Sequence, residues 1–110
     1  MNAKRYTYRV IWSEEDREFV GLCAEFPSLS WLAESQEEAL RGIVDLVTDA
    51  VTDLQQSGEQ IPAPLSLREF SGKFQVRITP ETHRRLAIQA AEAGVSLNRL
   101  INSKLSEHLI

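Results

Sequence analysis

Hydrophobic and polar residues alternate along one short stretch in the last third of the chain. The apolar residues of this stretch are Phe74, Val76 and Ile78. They alternate with the polar residues Lys73, Gln75 and Arg77. Successive residues of a β-strand point to opposite faces, so this alternation predicts a strand with one apolar and one polar face. Thr79 and Pro80 follow as the N-cap and the first residue of a helix.

A single strand of this kind leaves both of its edges unpaired, and unpaired edges favour pairing with another strand. Two copies paired antiparallel would pack the three apolar side chains of each against the helices as a dimer core. The three polar side chains would face outward on a two-stranded ribbon, which fits the major groove of DNA. In that groove Lys and Arg donate to guanine and Gln pairs with adenine. We therefore predict that Lys73, Gln75 and Arg77 contact bases.

Two helices follow the predicted strand. The spacing of apolar residues predicts the first over 81–93, and Ser96 caps the second. Backbone N–H groups at the start of a helix bind phosphate, so we predict that Ser96, Leu97 and Asn98 contact the DNA backbone. A helix-turn-helix is the alternative, in which Asn98 and Arg99 would contact bases instead.

The first half of the chain carries a different pattern. Alternating aromatic and β-branched residues predict strands at 6–12, 18–24 and 29–33. Ser35 opens a capping box and an amphipathic helix that runs to about Gln56. The pattern predicts an α+β fold, with a small antiparallel sheet and one packed helix followed by a β-α-α unit.

The sequence Ile-Pro-Ala-Pro at 61–64 separates these two patterns. Its prolines favour an extended and fairly stiff path. We therefore predict domains at 1–60 and 71–110, joined by residues 61–70. Within that segment, residues 65–70 are either a fourth strand that returns to the first sheet or simply a connector.

Charge is divided unevenly between the two halves. Residues 1–70 hold 6 Lys and Arg against 13 Asp and Glu, a net of −7, whereas residues 71–110 hold 6 against 3, a net of +3. A basic unit suits nucleic acid and an acidic unit suits a basic protein. With the single cysteine Cys23 there is no internal disulfide. No signal peptide or membrane span is evident, so we expect a cytoplasmic protein that binds no membrane.

Residues 71–110 resemble a ribbon-helix-helix DNA-binding domain. The features that match are Gly-Lys-Phe-Gln-Val-Arg-Ile at 72–78, Pro-Glu-Thr-His at 80–83 and Ala-Gly-Val-Ser-Leu-Asn at 93–98. The resemblance implies an intertwined dimer whose outward strand residues contact the major groove. It also implies that the start of the last helix holds the DNA backbone.

The whole chain resembles the HicB family of type II antitoxins. The front half contributes Ala-Glu-Phe-Pro-Ser-Leu at 24–29 and Ser-Gln-Glu-Glu-Ala-Leu at 35–40. The resemblance implies a partial ribonuclease-H-like first domain that binds a small basic HicA-like, RNA-cleaving toxin, and a tail that binds operator DNA and represses the operon. Many members have a Gly-Cys pair where this chain has Ser30-Trp31, and a Gly where it has Ala33-Glu34. These departures bear on which toxin is recognised rather than on the class of protein.

Two other classes of function stay open. A dimeric transcription regulator would share the ribbon but would have a ligand-sensing first domain and no toxin partner. An enzyme of the ribonuclease H type would need carboxylates that converge on a metal ion. The acidic cluster lies in or beside a charged turn, where side chains are usually solvated: Glu14, Glu15, Asp16 and Glu18. We expect no enzyme, no catalytic residue, no metal and no cofactor.

Several residues of the first half are candidates for contact with a partner. Asp45, Asp49 and Asp53 recur every four residues on one helix face, which is either a solvated face or a surface for a basic protein. Trp31 is either a core residue or, if exposed, an interface anchor. We expect a homodimer through the ribbon, and further pairing through the first domains would give a dimer of dimers.

Overall fold

The computed structural model describes residues 2–109, which divide into two compact units between Ser71 and Gly72. A three-stranded antiparallel sheet precedes three α-helices, so the protein is of the mixed α+β class, as predicted. Within residues 2–109, no helix combines the length and the apolar character needed to cross a membrane.

The sheet of the first unit consists of β1 (Tyr8–Ser13), β2 (Glu18–Cys23) and β3 (Ser30–Ala33), in that order and antiparallel throughout. All three predicted strands are confirmed, and their ends shift by one or two residues. The turn between β1 and β2 closes where the Arg17 N–H donates to the Ser13 carbonyl at 2.8 Å. Arg17 adopts a left-handed conformation there, with φ of 56°.

Helix α1 (Gln36–Ser57) packs against all three strands. It begins where the Ser35 hydroxyl accepts the Glu38 N–H at 3.1 Å, and it ends at Gly58, whose φ of 72° is left-handed. Its buried residues recur every four positions and form one apolar stripe: Ala39, Ile43, Val47 and Val51. The predicted amphipathic helix is confirmed because both its cap and its apolar period are present.

Gly21, in the middle of β2, sets how closely α1 approaches the sheet. A Cβ atom at this position would collide with the Ala39 carbonyl oxygen and would lie 2.8 Å from Cγ2 of Ile43. The absence of a side chain therefore lets the helix backbone lie against the central strand. Around this contact is the core of the first unit: Ala3, Tyr6, Cys23, Ile43, Val47 and Val51.

Residues 61–70 form no strand; a 3₁₀ turn at Leu65–Leu67 lies within them. The Tyr6 hydroxyl donates to the Pro62 carbonyl at 2.7 Å, and Pro64 is fully buried. Of the two interpretations left open by the sequence, the connector is the one found. Proline has no N–H to donate to a strand ladder, which disfavours a fourth strand in this segment. The connector is docked on the first unit over most of its length.

The second unit contains α2 (Pro80–Ala93) and α3 (Leu97–Glu107), and both predicted helices are confirmed. The Thr79 and Ser96 hydroxyls each accept a backbone N–H from three residues further on, at 3.2 and 3.1 Å. Gly94 ends α2 with a left-handed φ of 68°. These caps define two helices joined by a short corner at residues 94–96.

Residues 73–78, which we call the extended segment, form neither helix nor strand, so the predicted strand at 73–78 is not formed in the single chain. A strand is defined by a ladder of hydrogen bonds to a neighbouring strand, and residues 73–78 belong to no such ladder in the described structure. Within residues 72–109, Ala90 is the one residue classed as buried. The second unit therefore has very little core of its own.

Candidate nucleic-acid interface

The apolar side chains of the extended segment are largely solvent-exposed. Phe74 is 73% exposed, Val76 is 65% exposed and Ile78 is 44% exposed. Fully burying one side chain of this size stabilises a structure by about 1.5–3 kcal/mol, so the single chain leaves a large hydrophobic contribution unused. The predicted dimer-core residues thus lie together and uncovered.

An apolar hollow of about 280 Å³ lies where this segment runs beside α2 and α3. It is lined by Val76, Ile78, Leu86, Ile101, Lys104 and Leu105. A second hollow, of about 520 Å³, is lined by residues that include Phe74, Lys73 and Asn98. Lys73 and Phe74 border the same hollow, so the separation into two faces that a paired strand would impose is incomplete in the single chain.

The three predicted base-contacting residues, Lys73, Gln75 and Arg77, all have exposed side chains. They lie within five residues of each other on the extended segment, which immediately precedes the N-cap of α2. The other cations of the unit include Arg84 and Arg85, and Arg85 pairs with Glu81 at 3.4 Å. This pair is exposed, so it contributes little to stability.

The start of α3 carries the three residues predicted to contact phosphate. The Ser96 hydroxyl is already engaged as the N-cap, Leu97 is half-buried, and Asn98 is exposed. The first backbone N–H groups of a helix have no partner within that helix, and they point outward along its axis. Backbone groups, rather than the Leu97 side chain, are therefore what this corner can offer to an anion.

On the first unit, α1 presents an acidic stripe to solvent. Asp45, Asp49 and Asp53 are all exposed and repeat every four residues along the helix. With a rise of 1.5 Å per residue, the stripe extends over roughly 12 Å. It lies on the side of α1 that does not carry the buried stripe of Ile43, Val47 and Val51.

Glu25 is a functional-site candidate that sequence reasoning missed. Its carboxylate accepts the Leu65 N–H at 2.8 Å, the Thr7 N–H at 2.9 Å and the Thr7 hydroxyl at 3.1 Å. Burial alone would raise the pKa of Glu25, but the N–H groups of Leu65 and Thr7 outweigh it, so this pKa lies below its ordinary value. Glu25 thereby ties the connector to the sheet. An acidic residue directly after a strand was the available signal.

The acidic residues of the β1–β2 turn make local contacts. Glu14 pairs with Arg17 at 2.7 Å and accepts the Trp12 indole N–H at 2.7 Å, and Asp16 accepts the Ser13 hydroxyl at 2.9 Å. Within residues 2–109, no three His, Cys, Asp or Glu side chains are grouped so that they could hold a metal ion.

Trp31 lies on the helix side of β3 and is 45% exposed. Its indole ring rests against Gly42 so closely that a Cβ at that position would collide with it. Neither sequence alternative describes it fully, since one face of the ring is packed and much of the side chain is in solvent.

The chain matches the model of the HicB family over residues 56–105, slightly less than half of its 110 residues. The match begins at the end of α1 and includes the connector, the extended segment, α2 and most of α3, whereas the sheet lies outside it. No curated protein and no solved structure matches the chain. The match supports membership of the HicB family. It suggests a role related to antitoxins and, in general terms, a toxin partner.

Proposed function

We propose that this protein is the antitoxin of a type II toxin–antitoxin system. Its second unit pairs with that of another copy as a ribbon-helix-helix dimer and binds operator DNA, which autoregulates transcription. Its first unit, as a partial ribonuclease-H-like domain, binds and neutralises a small basic, RNA-cleaving toxin of the HicA type. The observation that carries the proposal is the uncovered apolar row Phe74–Val76–Ile78, within the stretch that the HicB family model matches.

Dimerisation is the first step of this argument. Antiparallel pairing of two extended segments would form the two-stranded ladder that the predicted ribbon requires. It also covers the exposed apolar side chains of both copies, and each copy has a hollow of about 280 Å³ beside them. The second units of two copies, each with little core of its own, thereby form one shared hydrophobic core.

DNA binding is the second step. Pairing forces strict alternation on the extended segment, so Lys73, Gln75 and Arg77 share the outer face of the ribbon. The unit has a net charge of +3, which favours approach to phosphate. The first N–H groups of α3 then serve as phosphate contacts, at Leu97 and Asn98.

Toxin binding is the third step, and it is assigned to the first unit on charge. Residues 1–70 have a net charge of −7, which opposes DNA and attracts a basic protein. The exposed stripe Asp45–Asp49–Asp53 on α1 is a regular array of carboxylates in that unit.

A fluorescence anisotropy titration tests the DNA-binding half of the proposal. The probe is the DNA upstream of the protein's own gene, with random DNA of equal length beside it, at several salt concentrations. We expect wild type to prefer its own upstream DNA, and K73A/Q75A/R77A to lose that preference, because each good base contact is worth about 1–3 kcal/mol. The matched control, K4A/R41A/Q60A, removes the same residue types from exposed positions of the first unit.

The outcomes separate the ribbon from its alternative. If N98A/R99A abolishes the preference while the triple variant keeps it, the helix-turn-helix interpretation replaces the ribbon. If wild type shows no preference, the second unit is a dimerisation module and the repressor role fails. Salt dependence alone decides nothing, since any phosphate-binding protein shows it.

Co-expression with a small basic protein encoded beside the gene tests the antitoxin half. We expect a stable complex and protection from RNA cleavage. The change D45N/D49N/D53N should slow association and reduce its salt dependence. The control E15Q/E34Q/E59Q removes three exposed carboxylates elsewhere on the first unit. Failure of any such protein to bind would exclude the antitoxin role.

The ligand-sensing regulator is the remaining alternative. It would use the open hollow of about 390 Å³ that Glu25 and Arg68 border together with Pro62. The carboxylate of Glu25 already accepts four hydrogen bonds from the protein, one of them from the Cys23 thiol at 3.5 Å, so it is poorly placed to select a ligand. A small molecule that alters DNA binding in the absence of any toxin would favour this alternative.

A further inference from the structure

The two tryptophans of the chain are almost equally exposed, Trp12 at 46% and Trp31 at 45%. The chain itself supplies polar partners to Trp12. The indole N–H donates to Glu14, and the Arg17 guanidinium lies 6.0 Å from the ring centroid. Arg17 also pairs with the Glu14 carboxylate at 2.7 Å. An indole, a carboxylate and an arginine thus form a complete cation–π group at this end of the sheet.

Trp31 has similar surroundings except for the cation. Its five-membered ring rests on Gly42 of α1. Glu38 and Asp45 lie four residues before and three residues after Gly42, so each is its neighbour on one side of the helix, about 5–6 Å away. Both carboxylates are exposed. Within residues 2–109, no Lys or Arg lies over the Trp31 ring or pairs with either carboxylate.

The basic residue nearest to this position along α1 is directed elsewhere. Arg41 is exposed, and at about 3.6 residues per turn it lies on nearly the opposite side of the helix from the buried Ile43. Arg41 therefore points away from the sheet that carries Trp31. The cation that would complete the group at Trp31 has to come from another molecule.

Gly42 weakens α1 and at the same time holds the indole in place. It lies inside a 22-residue helix, where glycine is destabilising relative to alanine. A Cβ at this position would collide with Trp31, so the glycine is what allows the indole to lie against the helix. Departures from local preference of this kind are expected mainly at functional sites.

We propose that Trp31, Glu38 and Asp45 form a cation site that binds an arginine side chain of the toxin partner. This inference rests on the proposed function, which assigns a small basic protein to the first unit. A guanidinium is planar, stacks on aromatic rings and bonds to carboxylates in pairs, so arginine fits this group better than lysine.

Charge selects a basic protein as the occupant of this site. The site carries two carboxylates within a unit of net charge −7, so it attracts a cation and repels nucleic acid. Asp45 also belongs to the exposed stripe Asp45–Asp49–Asp53, so the site continues the surface assigned to the toxin. Tryptophan and arginine are among the residue types enriched at binding hot spots.

Titration calorimetry of the full chain with the small basic protein encoded beside its gene tests the site. W31L keeps an apolar side chain without a π face, and it should weaken the complex about tenfold, as expected for a partly desolvated cation–π contact. W31F should weaken it less. W12L is the matched control because Trp12 is equally exposed and already has Arg17, so its affinity should equal that of wild type. G42A keeps the indole but displaces it, so it should weaken binding although alanine favours the helix.

Double-mutant cycles identify the arginine that binds at the site. Each arginine of the partner is changed to alanine and measured against wild type and against W31L. One of them should lose most of its effect in the W31L background, because the contact is already absent. E38Q/D45N should weaken the complex more than the control E15Q/E34Q, which removes two exposed carboxylates elsewhere on the unit. The proposal is overturned if every arginine keeps its full effect in W31L.

A ¹⁹F spectrum of the W12F chain labelled with 5-fluorotryptophan reports on the contact directly, because Trp31 is then the single tryptophan. Its resonance should shift when the partner is added. If W31L fails to fold, G42A and this resonance decide the question. Equal affinities of W31L and W12L, or an unmoved resonance, would overturn the inference and leave the antitoxin role intact. If wild type binds no such protein, the antitoxin role fails and the site fails with it.

Discussion

The two units differ in where their apolar side chains lie. In the first unit Ile43 and Val47 are fully buried, in a core to which sheet, helix and N-terminal turn all contribute. In the second unit the large apolar residues of the extended segment are exposed, and Ala90 is the one buried residue among 72–109. The first unit completes its core within one chain. The second has well-capped helices but needs additional apolar surface, which a second copy would supply.

The largest expected effect comes from placing charge in the apolar row of the second unit. We expect F74D/I78D to convert a dimer into a monomer, because each side chain forfeits about 1.5–3 kcal/mol of burial in each copy. Sedimentation equilibrium measures the mass of the particle. Thermal unfolding at two protein concentrations shows whether stability depends on dimerisation.

The matched change in the first unit is I43A. It should lower the free energy of unfolding by about 2–5 kcal/mol through a core cavity, with no change in association state. The comparison between the two units is contradicted if wild type is a monomer and its melting temperature does not change with protein concentration.

A smaller loss of stability is expected when Glu25 is replaced, because this residue joins the connector to the sheet. At neutral pH, E25Q should destabilise the first unit by about 1–3 kcal/mol, because the N–H donors of Leu65 and Thr7 lose a charged acceptor. The pKa of Glu25 is lowered on folding, so its contribution is present above the unfolded value of about 4.3 and is lost as pH falls through the folded value.

The difference in stability between wild type and E25Q should therefore shrink on acidification, as measured by urea denaturation from about pH 6 to about pH 3. E34Q serves as the control because Glu34 is an exposed carboxylate of the same unit. A difference that stays constant with pH would mean that packing, rather than the carboxylate charge, explains the loss.

The smallest expected loss of stability comes from removing either of two similar helix N-caps. S35A removes the N-cap of α1 and S96A removes that of α3, and each should cost about 1 kcal/mol. Because α1 belongs to the complete core, S35A should lower stability equally at all protein concentrations. S96A should instead shift the monomer–dimer equilibrium, which analytical ultracentrifugation detects. Identical concentration dependence for both variants would contradict the comparison.

The local parts of the fold could be predicted from the sequence because their causes are local. Alternation gave the three strands, and Ser35, Thr79 and Ser96 marked helix starts that the structure confirms. The docking of the connector could not be predicted, since the Glu25–Leu65 hydrogen bond joins residues 40 positions apart. Periodicity carries no information about such pairs.

The residues of the candidate site stay a prediction, and the segment that carries them does not have the predicted conformation. Lys73, Gln75 and Arg77 were identified from alternation, yet the segment that carries them is not a strand in the single chain. Its predicted partner is another molecule, so the alternation predicts a strand that one chain alone cannot display. The packing of Trp31 could not be predicted for a different reason, which lies within one chain. It rests on Gly42, and this contact depends on where α1 crosses β3.

The position of Trp31 has an optical consequence. The chain has two tryptophans and two tyrosines, and all four belong to the first unit: Tyr6, Tyr8, Trp12 and Trp31. The second unit contains Phe74 as its one aromatic residue. Tryptophan emission therefore monitors the first unit selectively, and the indole on Gly42 should shift its spectrum when α1 leaves the sheet. Circular dichroism, by contrast, sums the helices of both units, so the two signals recorded together resolve the unfolding of each unit without any label.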